Sequence, residues 1–366
     1  MLKSDEVLVR VAAAPVNPSD FGSWVVSSSE SDSKSFKPRA VGLEGSGVVV
    51  RVGSRWSSSL NGISVGCSVG FTGLRDGQGS FSEYVVANLR TTFAMPDELP
   101  VEDAAAFFVN PFTAVAILDT VAKEQKDTKA FVHTAGASQL GKMLVKLLVQ
   151  LRLAGDRAGD IKLISVVRTE DQKAQLLQIG ADKVVVLKDP ENLKDPGLAD
   201  LKSILETLKT TVAFDAVAGA MTGRLLSCLP NSSTVYVYGR LAGDIKAVAP
   251  IDLIYRQKEI KGFYLRSWLE HGPATTPFFS FATNRLLQTI ARVRHGLGQG
   301  GWCHSSFVDC DLSTMYDTFK DLATTSGFTN HKLRIRFDLT TGSRFEPTPK
   351  AAQGKKKKPF DDDDDA

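Results

Sequence analysis

Residues 130 to 265 alternate between short apolar runs and amphipathic stretches of about ten or more residues. This alternation is typical of βαβ units, because each helix carries the chain back across one face of a parallel sheet. The fold class is therefore predicted to be α/β, with a doubly wound parallel sheet. The expected strands are 130–134, 162–168, 183–187, 212–217, 234–239 and 259–265, and the expected helices are 140–153, 169–179 and 198–208.

The chain before residue 104 has a different pattern, since its strand signals are short and closely punctuated by Gly and Pro. Residues 13–20 are expected to form a turn, because Pro15 and Pro18 interrupt them. A smaller, mostly β domain is therefore predicted for this part. Its expected strands are 5–11, 42–52, 64–71 and 80–86.

Composition excludes two classes of partner. The 366 residues suffice for about two domains, and 44 basic against 41 acidic residues give a net charge of only +3. This balance provides no field that would attract nucleic acid, so no nucleic-acid partner is expected. The most apolar stretch, 104–118, is interrupted by Asn110 and Pro111 and is shorter than the roughly 20 residues that span a membrane. No membrane span is therefore expected.

Two features indicate the compartment. Asp5 and Glu6 stand where a secretory signal peptide has basic residues. The four cysteines are too scattered for a disulfide framework, which favours a reducing compartment. They are Cys67, Cys228, Cys303 and Cys310. A cytoplasmic location is therefore expected, and the sequence is also compatible with an organellar targeting segment before residue 1.

The segment FVHTAGASQLG at 131–141 lies between a predicted strand and a predicted helix, where a dinucleotide-binding fingerprint occurs. Gly136 permits a tight turn, Ser138 replaces the usual middle glycine, and Gly141 lets the helix pack closely on the strand. The amides at the helix start are expected to bind a pyrophosphate. The predicted contacts are Gly136, Ala137, Ser138, Gln139, Leu140 and Gly141. A structural turn without a ligand is the alternative interpretation.

Arg168 follows the second predicted strand, where an NAD site usually has an acidic residue for the ribose 2′-hydroxyl. A guanidinium can donate two charge-assisted hydrogen bonds to a 2′-phosphate, so NADPH is the predicted cofactor. Thr169 and Gln172 match a capping box for the next helix. Arg168 is alternatively an ordinary exposed arginine.

Seven motifs occur in order along the chain: DEVLVRVAAAPVNPSD at 5–20, GLEGSGVVVRVGS at 42–54, GSFSEYVV at 79–86, FFVNPFTA at 107–114, VHTAGASQLG at 132–141, YVYGRLAG at 236–243 and KGFYLRSW at 261–268. By these motifs the chain resembles zinc-independent members of the medium-chain dehydrogenase/reductase superfamily. It is similar to NADPH-dependent quinone reductases and to mitochondrial-type 2-enoyl thioester reductases. The resemblance implies a GroES-like, mostly β catalytic domain that holds both chain ends, with a Rossmann domain between them.

The resemblance also implies domain limits and an assembly. Residues 1–109 are expected to form the GroES-like catalytic domain, without the β-hairpin that usually precedes its first strand. Residues 110–267 are expected to form the Rossmann NADPH-binding domain, and 268–341 to return to the catalytic domain. Residues 342–366 are expected to be a disordered charged tail. A homodimer is expected through the fifth and sixth Rossmann strands, where the segment 250–265 is apolar enough to pair.

By motif position, the resemblance assigns further contacts with the cofactor. Core packing is the alternative for Phe263 and Tyr264, and a helix cap is the alternative for Asn110. The assigned contacts are Asn110, Thr113, Tyr238, Gly239, Arg240, Leu241, Phe263, Tyr264, Leu265 and Lys332.

No metal site is predicted. The motifs that carry the catalytic zinc ligands in other branches of the superfamily read NPSD at 17–20 and LEG at 43–45 here. Zinc requires clustered Cys and His ligands, and no such spacing occurs elsewhere. The histidines are dispersed, and a core or surface role is expected for each: His133, His271, His295, His304 and His331.

Hydride transfer without a metal requires an acceptor that is already polarised, such as a quinone or an enone. The first prediction is therefore NADPH-dependent reduction of a quinone or a conjugated enone, in which a hydrogen-bond donor stabilises the developing enolate oxygen. Asn17 and Trp24 are expected to line the substrate pocket, although Asn17 alternatively fixes the turn. The loop 21–40 has no tyrosine, whereas enoyl thioester reductases carry their donor tyrosine there, so no catalytic residue is assigned.

Two alternatives stay open. One is reduction of a trans-2-enoyl thioester of coenzyme A or acyl carrier protein, which the motifs GFYL and HTAGASQLG favour. The other is a catalytically inactive NADPH-binding protein with a structural or sensor role.

Overall fold

The computed structural model describes residues 1–20, 40–54, 62–124, 129–270, 285–325 and 330–339. The strands there are β1 (Glu6–Pro15), β2 (Gly45–Val52), β3 (Ser68–Phe71), β4 (Tyr84–Asn88), β5 (Thr92–Ala94), β6 (Ala130–His133), β7 (Lys162–Val167), β8 (Lys183–Val186), β9 (Val212–Asp215), β10 (Thr234–Val237), β11 (Glu259–Gly262), β12 (Phe307–Cys310) and β13 (Lys332–Arg336). The helices are α1 (Val109–Glu124), α2 (Gln139–Leu153), α3 (Glu170–Gln178), α4 (Pro196–Thr207), α5 (Gly219–Cys228), α6 (Pro250–Ile254), α7 (Leu265–Glu270), α8 (Arg285–Leu297) and α9 (Met315–Thr325). None of these helices is long and apolar enough to cross a bilayer.

The α/β prediction is confirmed by a parallel sheet of six strands in the order β11-β10-β9-β6-β7-β8. Helices α1 and α2 cover one face, where Phe131 and Phe214 are fully buried. Helices α4 and α5 cover the other face with Leu201 and Leu225. Since β6 lies between β7 and β9, the strand order reverses at β6, and a crevice is expected at the carboxyl ends of β6 and β9.

The second sheet is mostly antiparallel and contains strands from near both ends of the chain, in the order β12-β13-β1-β2-β3-β5, with β4 also paired to β1. Its core includes the fully buried side chains of Val7, Val9 and Val11. Strand β1 continues to Pro15, which lies opposite Arg334 of β13. The turn predicted over 13–20 was therefore wrong at its start, because the strand that extends β1 comes from far along the sequence.

Helix α5 was not predicted from the sequence. Most of its side chains are buried, including Met221 and Leu225, so its sequence lacks the polar and apolar faces that mark a surface helix. It also begins at Gly219, whose φ of 55° lies in the left-handed region that favours glycine. Burial on all sides therefore hid this helix from a periodicity argument.

Candidate cofactor and substrate site

The turn after β6 lies at the carboxyl end of the parallel sheet. The amide of Gly136 donates to the Val166 carbonyl at 2.9 Å, which fixes the turn against β7. A Cβ atom on Gly141 would lie 2.0 Å from the Gly136 carbonyl oxygen, so only glycine fits where the helix approaches the turn. The close approach at Gly141 is therefore made to the turn rather than to the strand, and the left-handed residue of the turn is Ala135, whose φ is 52°, rather than Gly136.

Helix α2 begins directly behind this turn. Ser138 is its N-cap, since the Ser138 hydroxyl accepts from the Gly141 amide at 3.1 Å. The amides of Ala137, Gln139 and Leu140 have no acceptor among the described residues. Three such amides at the positive end of a helix dipole form a ready site for a phosphate group.

The Gln139 side chain points away from this amide cluster to the C-terminal part of the chain. Its Nε2 donates to the Asn330 carbonyl at 2.8 Å, and its Oε1 accepts from the Ser306 amide at 3.2 Å. Of the groups of Gln139, only the backbone amide is therefore left for a cofactor.

Arg168 is exposed and directly follows β7. The Gln172 backbone amide donates to the hydroxyl of Thr169, the N-cap of α3, at 3.2 Å, which is the first bond of a capping box. Gln172 Oε1 accepts from the Arg168 amide at 2.9 Å, one residue before the N-cap amide that a complete capping box uses. The Arg168 guanidinium forms no ion pair or hydrogen bond with the residues that the structure describes. A well-ordered backbone therefore presents a cation beside the crevice.

Asp215 lies at the end of β9, next to the point where the strand order of the parallel sheet reverses. Its carboxylate is fully buried and accepts from the hydroxyls of Thr134 at 2.8 Å and Thr222 at 2.6 Å. The Val217 amide donates to the same carboxylate at 2.9 Å. These bonds hold the ends of β6 and β9 together, and the local sequence did not indicate them.

Tyr238 immediately follows β10 and reaches across β9 to the end of β6. Its hydroxyl lies 2.6 Å from Nε2 of His133. Burial lowers the pKa of His133 to about 3, and burial together with the Asp215 carboxylate raises the pKa of Tyr238 well above its usual value. Next in the chain, a Cβ on Gly239 would lie 2.5 Å from the Ala216 carbonyl oxygen, so this position too requires a glycine.

The remaining residues after β10 and β11 differ in exposure. Arg240 and Leu241 are exposed, and Arg240 pairs with Asp244 at 3.5 Å. Phe263 is partly buried and packs edge-on against Phe214 with ring centroids 5.3 Å apart, and its contact with the cofactor stays a prediction. Tyr264 is 66% exposed, and Leu265 is partly buried against the core of the parallel sheet.

Glu44, which the sequence did not single out, caps helix α1. Its Oε2 accepts from the amides of Phe108 at 2.8 Å and Val109 at 3.0 Å. Asn110 lies inside the first turn of α1, so its interpretation as the cap was wrong. The Thr113 hydroxyl donates to the Val109 carbonyl at 2.6 Å and keeps its lone pairs for another donor.

Asn17 and Lys332 belong to a buried cluster with Glu44 and Asp20. Asn17 Nδ2 donates to Glu44 Oε1 at 3.0 Å, and Lys332 Nζ donates to Asn17 Oδ1 at 2.5 Å. The backbone N–H of Asn17 donates to Asp20 Oδ2 at 2.7 Å, which supports the interpretation that Asn17 fixes the turn. Burial lowers the pKa of Lys332, while burial and the neighbouring Glu44 raise the pKa of Asp20 to about 7.

This cluster changes the interpretation of two predicted residues, Lys332 and Asn17. The Lys332 ammonium is held by Asn17 rather than directed to the phosphate-binding amides, and Asn17 is fully buried. Trp24, the other predicted pocket residue, lies outside the described residues. In the part of the chain that is described, no group of three or more His, Cys, Asp or Glu side chains is placed to hold a metal ion.

Known proteins are similar to this chain both in the N-terminal domain and over most of its length. Residues 3–97 match the alcohol dehydrogenase GroES-like domain. The chain is 28% identical over 283 residues to the mitochondrial enoyl-[acyl-carrier-protein] reductase of Dictyostelium discoideum, covering 74% of this chain and 72% of that protein.

Two solved structures share the fold across both domains. A protein from Mesorhizobium loti, assigned as an NADPH:quinone reductase, is 29% identical, with a TM-score of 0.72 over 92% of this chain and 88% of that one. A Candida tropicalis 2-enoyl thioester reductase in complex with NADP and crotonyl-CoA is 18% identical, with a TM-score of 0.69 over 92% of both chains.

Proposed function

We propose that this chain, which belongs to the medium-chain dehydrogenase/reductase superfamily, is an NADPH-dependent oxidoreductase that reduces a quinone or a conjugated enone. The observation that carries the proposal is the turn at Gly136–Gly141, whose free amides lie at the carboxyl edge of the parallel sheet. The NADPH:quinone reductase relative supports the choice of cofactor and acceptor.

The residues present fit the cofactor. Glycine is required at Gly141 by contact with the turn itself. The amides of Ala137, Gln139 and Leu140, which have no acceptor among the described residues, are expected to bind the pyrophosphate. Arg168 is expected to bind the 2′-phosphate that distinguishes NADPH from NADH, because a guanidinium can donate two hydrogen bonds to a phosphate. When bound, the cofactor supplies the hydride.

The side chains of the protein are expected to position the nicotinamide and to stabilise charge on the acceptor. The Thr113 hydroxyl and the residues after β10 and β11 are expected to surround the nicotinamide end of the site, and Phe263 supports them from the core. A quinone or enone is already polarised, so the remaining need is a hydrogen-bond donor at the oxygen that gains charge. The other carbon of an enone then takes its proton from water or from a side chain.

Reduction of a 2-enoyl thioester is the second candidate. The mitochondrial enoyl-[acyl-carrier-protein] reductases among the relatives favour it, since each is 26–29% identical over 72–74% of this chain. These relatives also support an organelle over the cytoplasm as the location. Imaging of the full chain with a C-terminal fluorescent protein distinguishes the two compartments.

A direct screen decides between these functions. The full chain is incubated with NADPH and, in turn, with quinones, enones, enoyl-CoA and enoyl-acyl carrier protein, and the loss of NADPH absorbance is followed. Faster turnover of quinones or enones supports the first candidate, and faster turnover of thioesters supports the second. Binding of NADPH without turnover of any acceptor indicates the inactive NADPH-binding protein, and no binding of NADPH contradicts all three.

The role of Arg168 has its own test. Arg168→Ala is expected to lower the preference for NADPH over NADH by roughly 10–100-fold, because a charge-assisted hydrogen bond contributes about 1.5–3 kcal/mol. Arg157→Ala is the matched control, since Arg157 is an exposed arginine in the short turn that precedes the same strand. An unchanged preference in Arg168→Ala contradicts the assignment.

A homodimer through the edge of the parallel sheet is part of the proposal. β11 is the end strand of this sheet, and the side chains just before it are unusually exposed: Ile251 is 51%, Ile254 65% and Tyr255 79% exposed. Ile254→Asp is expected to shift the chain from dimer to monomer in light scattering. Leu153→Asp, at an 85% exposed position on α2, is the control, and a monomeric unmodified chain contradicts the proposal.

The proposed domain limits follow the two sheets. Strands β6–β11 all fall within 110–267, whereas β12 and β13 of the range 268–341 join the sheet of β1, which belongs to 1–109. The tail at 342–366 lies outside the described residues. Limited proteolysis is expected to release a fragment near 110–267.

A further inference from the structure

His133 and Tyr238 form a pair whose chemistry the proposed function leaves open. His133 ends β6, Tyr238 follows β10, and β9 lies between these strands in the sheet. The Tyr238 hydroxyl is 2.6 Å from His133 Nε2, and the two rings stack with centroids 5.9 Å apart. The pair therefore bridges the carboxyl edge of the sheet at the point where the strand order reverses.

The burial of His133 decides which nitrogen carries its proton. The side chain is fully buried, and the lowered pKa keeps the imidazole neutral with a single N–H. Nδ1 has no hydrogen-bond partner among the described residues. A proton on Nδ1 would leave a buried N–H donor unpaired, which is rarer in proteins than an unpaired acceptor. The proton therefore resides on Nε2, which donates to the Tyr238 oxygen.

This tautomer leaves the Tyr238 hydroxyl hydrogen free to donate to another group. In the described part of the chain, the His133 ring is the only hydrogen-bond partner of this hydroxyl. The nearby Asp215 carboxylate already accepts from Thr134, Thr222 and Val217. Because its pKa is raised, the phenol keeps its proton over the working pH range.

We infer that Tyr238 donates a hydrogen bond to a carbonyl oxygen bound at this edge, with His133 as the positioning residue that fixes the direction of the donor. The inference rests on the proposed function, which supplies two carbonyls of this chemistry: the carboxamide of the nicotinamide and the acceptor itself. Such a donor stabilises an oxygen on which negative charge develops. It would also provide the tyrosine donor that the loop 21–40 lacks.

Tyr238→Phe tests the donor, because it removes the hydroxyl and keeps the ring. If the carbonyl is the carboxamide, the Kd of NADPH rises roughly 2–10-fold in a fluorescence titration, and the Kd of 2′-phospho-ADP-ribose, which lacks the nicotinamide, is unchanged. If the carbonyl is that of the acceptor, the Kd of NADPH is unchanged and kcat falls roughly 10–1,000-fold. An unchanged Kd together with an unchanged kcat overturns the inference.

His133 is tested by two substitutions and a spectrum. His133→Leu is expected to reproduce the Tyr238→Phe effect, whereas His133→Gln is expected to retain function, since its amide N–H can replace the Nε2 donor. Nitrogen NMR of the unmodified full chain is expected to show His133 protonated on Nε2 at neutral pH. Protonation on Nδ1 overturns the inference, and this readout does not depend on a variant that folds.

The failures of this inference and of the proposed function are separable. An unmodified chain that binds no NADPH contradicts the proposed function. An unmodified chain that binds and oxidises NADPH, with no change in Tyr238→Phe, contradicts only the role of Tyr238.

Discussion

The phosphate-binding turn and the buried Asn17 cluster lie in different sheets and are assembled in opposite ways. The turn is local: Gly136, Ser138 and Gly141 contact one another within a single βα connection. The cluster is non-local, since Lys332 donates to Asn17, which is 315 residues away in the chain. The turn leaves three backbone amides without an acceptor among the described residues, whereas the groups of the cluster bind one another.

This difference indicates which kind of substitution disrupts each region. The turn depends on backbone space, so one added methyl group disrupts it. The cluster depends on the balance of buried charge and its hydrogen bonds, since unpaired charge is costly away from water. The predictions below test the two dependences separately.

Gly141→Ala should have the largest effect. The added Cβ would meet the Gly136 carbonyl oxygen at 2.0 Å, so the turn has to open and lose its alignment of amides. We expect NADPH binding to weaken by about 100-fold or more, equivalent to about 3 kcal/mol. Gly298→Ala is the control, because its Cβ would meet only an ordinary contact at 3.5 Å. Equal Kd values for the two variants in a fluorescence titration would contradict this account of the turn.

Lys332→Met should have the largest effect on stability in the cluster. It removes the ammonium and leaves the Glu44 carboxylate buried without its compensating charge, so we expect a loss of about 3–5 kcal/mol in the free energy of unfolding. Lys162→Met removes an ion pair with Asp182 at 3.1 Å in which the lysine is 46% exposed, and should cost about 0–1 kcal/mol. Urea unfolding measures both, and similar losses would show that burial of Lys332 is unimportant.

Asp20 should make the stability depend on pH. Its pKa is about 7 in the folded protein and near its ordinary value of about 4 in the unfolded chain. Between these values the folded state keeps a proton that the unfolded state loses, so the free energy of unfolding falls as the pH rises.

We expect the unmodified chain to lose about 2–4 kcal/mol relative to Asp20→Asn between about pH 4 and pH 8. Asp171→Asn, at an exposed position on α3, is the control and should keep the slope of the unmodified chain. Parallel pH profiles for the unmodified chain and Asp20→Asn would contradict the assigned protonation of Asp20.

Much of the Rossmann half could be predicted from local pattern. The strands β6 and β7 and the helix α2 lie within a residue or two of the expected positions, because apolar periodicity and the glycine turn are short-range signals. Helix α5 was missed since it is buried on nearly every side. The end of β1 was misplaced because its partner β13 comes from the other end of the chain.

By itself, the sequence determined the βα turn and the cation after β7, since each depends on residues close together in the chain. It also determined the family resemblance, because each of the seven motifs is a short continuous segment. Only the tertiary structure decided that Glu44 caps α1, that Lys332 donates a hydrogen bond to Asn17, and that the His133 ring is hydrogen-bonded to the Tyr238 hydroxyl. These contacts join residues far apart in sequence, and their energetics depend on burial. Burial is a property of the packed chain, so a linear pattern does not encode it locally.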